Sequence, residues 1–323
     1  MRPALATLLA AACCLGAGAA PASAAFAGAN GRIAFVRPGR GIWAVNADGS
    51  GRTRVSPSDA PGAGCDSDPS FSPSGLVLVF QACDPERHAT AVATMTLAGL
   101  DRRTVIGSSS SVPSPQTPTF APDGKRVAFA AGASAATRLF AIRLDGRKRR
   151  RLDQVGYSPS WSRTAGLAFT VPLNQRRFCN STQLDDIYAV DRSMKHRHRL
   201  TKTYGSYGPD WSPDGKRIAY TRDYTVGSGD AKEVRRTPMD CKRAALRAAS
   251  SYGPEIVVAR ANGKHAKRLT FAGGSDPSWS PDGTLIAFER SGWIWTMRPN
   301  GHGLTRVVKG TQPSWQPVPV GPS

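Results

Sequence analysis

The chain has 323 residues, 40% of them hydrophobic, and 43 lysines and arginines against 23 acidic residues, a formal charge of +20. Such a surface attracts anions of every kind, from nucleic acid to lipid headgroups and acidic wall polymers, so charge alone selects no function. The length suits one closed domain with a large buried fraction, and no shift of composition marks a second.

Arg2, the apolar stretch from Ala4 to Leu15 and the small residues Ala22-Ser-Ala24 read as a secretory signal over residues 1–24. The stretch is shorter than the ~20 apolar residues of a membrane span. Cys13 and Cys14 follow Ala10-Ala-Ala12, without the leucine that lipoprotein signals favour. The expectation is export of residues 25–323 to the periplasm, cell envelope or medium, with no transmembrane span. Intracellular nucleic acid then drops out as a partner.

From Asn30 onward the chain repeats itself. A Pro-x-aromatic phrase occurs six times, at Pro69-Ser-Phe71, Pro118-Thr-Phe120, Pro159-Ser-Trp161, Pro209-Asp-Trp211, Pro277-Ser-Trp279 and Pro313-Ser-Trp315. Most copies continue into Ser-Pro-Asp-Gly, a tight-turn signal, and then a short apolar run. Further along each unit comes a second turn, such as Asp48-Gly49, Asp145-Gly146, Asn262-Gly263 or Asn300-Gly301. Asx-Gly between two β runs is a hairpin signal. Four short strands, A to D, recur radially: the pattern of a propeller blade. Strand B is expected at Ile33–Val36, Val77–Phe80, Val127–Phe129, Leu167–Thr170, Ile218–Tyr220 and Ile286–Phe288. The last phrase, at Trp315, lacks its apolar run, and the run at Ile33 lacks its phrase. The two termini therefore complete one blade and close the ring, leaving no unpaired inner edge.

The phrases Asp210-Trp-Ser-Pro-Asp-Gly-Lys-Arg-Ile-Ala-Tyr220, Lys267-Arg-Leu-Thr270 and Trp279-Ser-Pro-Asp-Gly-Thr-Leu-Ile-Ala-Phe288 resemble the TolB-type propeller repeat, over residues 30 to 317. Ser74 replaces the turn aspartate in the second blade, and Ser162-Arg-Thr-Ala-Gly166 departs in the fourth. The resemblance is to the propeller module, without the α/β domain that precedes it in TolB. It implies an all-β six-bladed propeller of four-stranded antiparallel blades, and a partner protein held at the channel mouth.

In such a ring the A-to-B and C-to-D turns share one face, and these are short here. The inserts Gln81–Thr90, Ala131–Arg138, Val171–Asp186 and Arg222–Pro254 fall on the opposite, top face. Thr237 and Pro238 open a helix expected to run to Ala249. Cys65, Cys83, Cys179 and Cys241 also fall on the top face, an even number in an exported chain. Cys65 and Cys83 flank antiparallel neighbours of blade two, while Cys179 and Cys241 lie in inserts of adjacent blades. The expected disulfides are Cys65–Cys83 and Cys179–Cys241.

No Gly-x-Ser-x-Gly elbow is present, and the histidines do not converge. His196, His198, His265 and His302 sit at C-to-D turns, and His88 alone in a top loop. Neither Asp48 nor Asp185-Asp186 begins an Asp-x-Asp-x-Asp-Gly calcium loop. Asp66 and Asp84, with Asp68 and Glu86, would share a corner beside the first disulfide, a candidate for a structural cation. No cofactor is implied. The repeated tryptophans are expected to wedge between blades rather than form a sugar-stacking stripe. Arg147–Arg151 and Lys195–Arg199 are read as edge protection on the outer strands.

What remains is a funnel at the top of the channel, expected to be rimmed by Asp68, Gln116, Tyr157, Tyr207, Asp276 and Gln312. The sequence thus reads as a monomeric, exported, non-catalytic scaffold. It would bind a protein, a peptide or an anionic wall polymer through its top face. The alternative is a secreted hydrolase or polysaccharide lyase using funnel carboxylates.

Overall fold

The computed structural model describes residues 26–60, 62–84, 89–132, 137–173, 184–223 and 253–319, the side chains of 84, 153 and 154 aside. Six four-stranded antiparallel sheets are present among them. Blade 1 joins Thr311–Val318, Ala29–Arg37, Gly41–Val45 and Thr53–Arg54 as strands A to D. Blades 2 and 3 begin with strand A at Ser67–Phe71 and Gln116–Phe120, and blades 4, 5 and 6 at Tyr157–Ser162, Ser206–Trp211 and Ser275–Trp279. The ring closes as the repeat requires: Ile33 stands opposite Trp315.

The turns form for local reasons. Asp123, Asp214 and Asp282 each accept the backbone N–H two residues on, at 2.9, 3.0 and 2.9 Å. The glycine that follows each adopts a left-handed φ of 65 to 72°, which only glycine takes without steric cost. In blade 2 the Ser74 hydroxyl takes the aspartate's place, accepting the Leu76 N–H at 3.4 Å.

Strand A carries the fold's recurring irregularity. In blades 2 to 6 the pairing slips across the proline, as between Gln116↔Ala130 and Thr119↔Ala128, so two residues face one. The residue before each proline has a left-handed φ: Asp68, Thr117, Ser158, Gly208, Asp276 and Gln312 lie between 46 and 58°. Proline has no N–H to lend a ladder and is confined to edges and bulges. Here it occupies both, a bulge on the strand that edges the channel.

The aromatic of each phrase fills the wedge between its own blade and the one before. Phe71 packs with Ile42 and Ala44 of blade 1, Trp211 with Ile187 and Ala189 of blade 4, and Trp279 with Ile256 of blade 5. Trp211, Trp279 and Trp315 are at most 5% exposed, which settles them as core rather than a surface stripe.

Cys65 and Cys83 form a disulfide with Cα atoms 6.0 Å apart. Cys179, Cys241 and the helix expected at 237–249 lie outside the described residues, as do residues 1–25, Glu86 and His88. One expected insert is smaller than the sequence indicated. Strands B and C of blade 2 pair as far as Asp84↔Ala89, so only 85–88 remain between them. No helix among the described residues is long and apolar enough to cross a membrane.

Candidate functional site

The inner edges of the six A strands enclose a central channel of two stacked chambers, of about 170 and 70 Å³. The upper, wider chamber is lined by the left-handed residues and their prolines. Both chambers share a waist made by the residue between proline and aromatic: Ser70, Thr119, Ser160, Asp210, Ser278 and Ser314. Five hydroxyls and one carboxylate thus ring the axis. Phe26 lines the lower chamber together with the wedge aromatics.

The waist also clasps neighbouring blades. The Trp211 N–H donates to Ser160 Oγ at 3.2 Å, and the Trp315 N–H to Ser278 Oγ at 3.3 Å. Asp210 does the same work, its Oδ2 accepting the Trp279 N–H at 2.8 Å. Its second oxygen accepts the Ser160 hydroxyl at 3.1 Å. Burial nevertheless pushes the Asp210 carboxyl up to about 7, against the hydrogen bonds that favour its charge.

Two more carboxylates face the upper chamber. Asp68 is pushed up to about 6 by burial and then by the charge of Asp276. Asp276 also rises to about 6, by burial and then by Glu289. Gln312 stands between them in blade order, and its Nε2 donates to Asp68 Oδ1 at 2.8 Å. Around Tyr207 the acids continue: burial, then Asp276, Asp223, Asp185 and Glu289 in turn, raise its hydroxyl. A chain of net charge +20 therefore holds an acidic mouth and channel.

Of the six residues expected at the funnel, Asp68, Asp276 and Gln312 line the channel. Gln116, Tyr157 and Tyr207 do not: the lining positions of those blades are Thr117, Ser158 and Gly208. The reason is the bulge. The preceding residue stays in the ladder, opposite Ala130, Thr170 and Thr221 respectively, and only the next one turns to the axis. Asp66 is likewise no open cation ligand. Arg102 grips it bidentately at 2.7 and 2.9 Å, and the Ser56 hydroxyl donates to it at 2.8 Å. A guanidinium already supplies the cation there. The Asp84 side chain lies outside the described ones.

Sequence reasoning missed Asp210, although a signal existed: one aspartate stands where the other five phrases have serine or threonine. Phe26 offered none, being a lone aromatic ahead of the first repeat.

No protein-family model matches the chain, and no curated protein matches it by sequence. Solved structures do. TolB from Acinetobacter baumannii matches with a TM-score of 0.63 at 20% identity, over 89% of this chain and 67% of that one. The fold is a six-bladed propeller of the TolB type. A chain of a nidogen/laminin complex superposes on this propeller with a TM-score of 0.64 at 11% identity, covering 90% of it and 99% of the other. An oligogalacturonate lyase in complex with manganese reaches 0.50 at 14% identity, over 86% and 74% of the two chains. At such identities the TolB-type architecture is what is shared, and the site has to be argued from its own residues.

Proposed function

We propose that this protein is an exported, non-catalytic binding scaffold that receives a cationic segment of a protein or peptide at the acidic mouth of its channel. The observation that carries the reading is the Asp68–Asp276 pair. Both carboxylates line the upper chamber, and the charge of Asp276 adds to burial in raising Asp68; a lysine, arginine or amino terminus placed there relieves that repulsion. The wide chamber accepts a few side-chain atoms, not a folded domain, so an extended segment fits best. The protein-binding neighbour in the nidogen/laminin complex and the Cys65–Cys83 disulfide support an extracytoplasmic scaffold.

A labelled hexapeptide library varied in charge at each position tests this. Enrichment of lysine, arginine or a free amino terminus is expected, lost in the Asp68→Asn/Asp276→Asn variant and weakened below pH 6. Binding indifferent to peptide charge overturns the reading.

A further inference from the structure

The outer rim is as uneven as the channel is acidic. The C-to-D segments of blades 3, 4 and 5, residues 143–155, 191–202 and 260–270, hold fifteen lysines and arginines against three aspartates, a net +12. The equivalent segments of blades 6, 1 and 2, residues 298–309, 46–55 and 97–107, hold seven against two, a net +5. Within the arc Arg199 is paired with the buried Asp186 and Arg268 with the buried Glu255. Blade 2 pairs Arg102 with Asp66 in the same manner, so internal pairing does not remove the asymmetry. Edge protection does not explain it either. All six blades expose a strand D, yet only three adjacent ones are heavily charged, and much of that charge sits in the turn ahead of the strand.

Backbone conformation singles out the same arc. Two residues after the hairpin position, every C-to-D turn adopts a left-handed φ. Blades 1 and 6 place glycine there, Gly51 and Gly303, while blades 3, 4 and 5 place Lys148, His196 and His265 at φ 50 to 54°. A side chain in that region is strained, and glycine at the equivalent positions avoids the strain. Three adjacent turns thus carry a nitrogenous side chain in the left-handed region, the His196 ring being turned onto Asp191 of its own turn. Blade 2 has Asp101 there and bounds the arc on its other side.

The turns form one surface. A Cβ at Gly263 would lie 2.1 Å from the Leu200 carbonyl oxygen, so the blade 5 turn rests directly on the residue that follows strand D of blade 4, His198–Arg199. Met194 of the blade 4 turn packs in the cluster that contains Leu152 of blade 3. On this surface Arg197 lies over the Tyr188 ring at 4.6 Å; Arg149 lies over Phe140 at 5.9 Å but already gives one N–H to Ser111 Oγ at 3.3 Å. Stacking holds a guanidinium plane while leaving its N–H edge to a ligand.

We propose that the basic arc over blades 3 to 5 binds a linear polyanion, a polymer with repeating carboxylate or phosphate groups laid from blade to blade. Guanidinium forks suit both groups. The arc has much charge and little apolar surface: within its three segments Leu144 is the only large exposed hydrophobic side chain among the described residues, and Phe271, just past the blade 5 segment, lies under the Arg268 guanidinium at 4.6 Å, while Leu76 and Leu100 belong to blade 2. That favours a polymer over a lipid surface, which takes apolar insertion as well as charge. The site is at the opposite end of strand A from the acidic mouth and does not depend on it.

Polygalacturonate and linear polyphosphate serve as probes, with anionic phosphatidylglycerol vesicles in parallel, at 50 and 200 mM salt. Arg147, Lys148, Lys195, Arg197 and Lys264 are changed together to serine. A control removes the same charge elsewhere, at Arg40, Arg52, Arg54, Arg103 and Lys309. The arc variant is expected to lose about tenfold or more in affinity and to bind with a shallower salt slope, while the control loses less than about threefold. The tighter polymer identifies the repeating group. Equal losses in the two variants would reduce the effect to net charge and overturn the site, as would binding to vesicles alone or to neither polymer. Circular dichroism of both variants separates a lost site from a lost fold.

Discussion

Gln312 and Asp68 hold each other by two hydrogen bonds across the ring's seam. The Gln312 Nε2 donates to Asp68 Oδ1 at 2.8 Å, and its Oε1 accepts the Asp68 backbone N–H at 3.1 Å. One residue belongs to the last strand of the chain and the other to blade 2, 244 positions away in sequence. The carboxylate of the proposed site is thus oriented by the strand that closes the propeller, so closure and site are the same piece of structure.

Gln312→Ala removes both bonds and leaves a buried N–H and a carboxylate without their partner. Net hydrogen bonds contribute roughly 1 kcal/mol each, and more where a buried group is left unsatisfied. Destabilisation of about 1–3 kcal/mol is expected, read from the midpoint of urea unfolding. No change would mean that water replaces the amide fully.

The channel carboxylates give a signed pH dependence. Asp68 and Asp276 are raised to about 6 and Asp210 to about 7, above their unfolded values near 3.8. The folded state therefore binds more protons than the unfolded state between these limits. Stability is fully present below about pH 4 for these groups and is lost as pH rises through 6 to 7. Thermal unfolding from pH 5 to 8 is expected to show a falling midpoint, flattened in Asp68→Asn/Asp276→Asn. A midpoint rising over that window would contradict the assignment.

Asp210→Ser places in blade 5 the hydroxyl that the other five blades already have, and it can still accept the Trp279 N–H. The variant is expected to fold and to lose less stability than the parent between pH 5 and pH 8. If instead it fails to close, the carboxylate is the clasp and not an addition to it.

The Cys65–Cys83 disulfide spans 18 residues. A loop of this length predicts roughly 3 kcal/mol of stabilisation in the chain-entropy account. Cys65→Ser/Cys83→Ser, or reduction of the intact protein, should lower the unfolding free energy by that amount, read from urea unfolding. A reduced protein as stable as the oxidised one would count against it.

The architecture was legible because its causes are local and repeat. Pro-Asp-Gly and Asx-Gly turns, apolar runs at fixed spacing and two half-repeats at the termini specify six closed blades, down to the pairing of Ile33 with Trp315. The Cys65–Cys83 bond followed from the same register. The site was legible only in part. Whether position 116 or 117 faces the axis depends on a bulge that flips one residue, and periodicity in a single strand does not show where a pleat is broken. Asp66 read as one of a group of acids until the fold brought Arg102, 36 residues away, onto both its oxygens. The acidity of the channel in a basic protein likewise exists only once Asp68, Asp210 and Asp276 are carried by three blades to one axis. Sequence by itself determined the ring, because each turn is decided by its neighbours in the chain; tertiary structure decided the charge inside it, because desolvation and the repulsion of one carboxylate by another depend on distances that only closure creates.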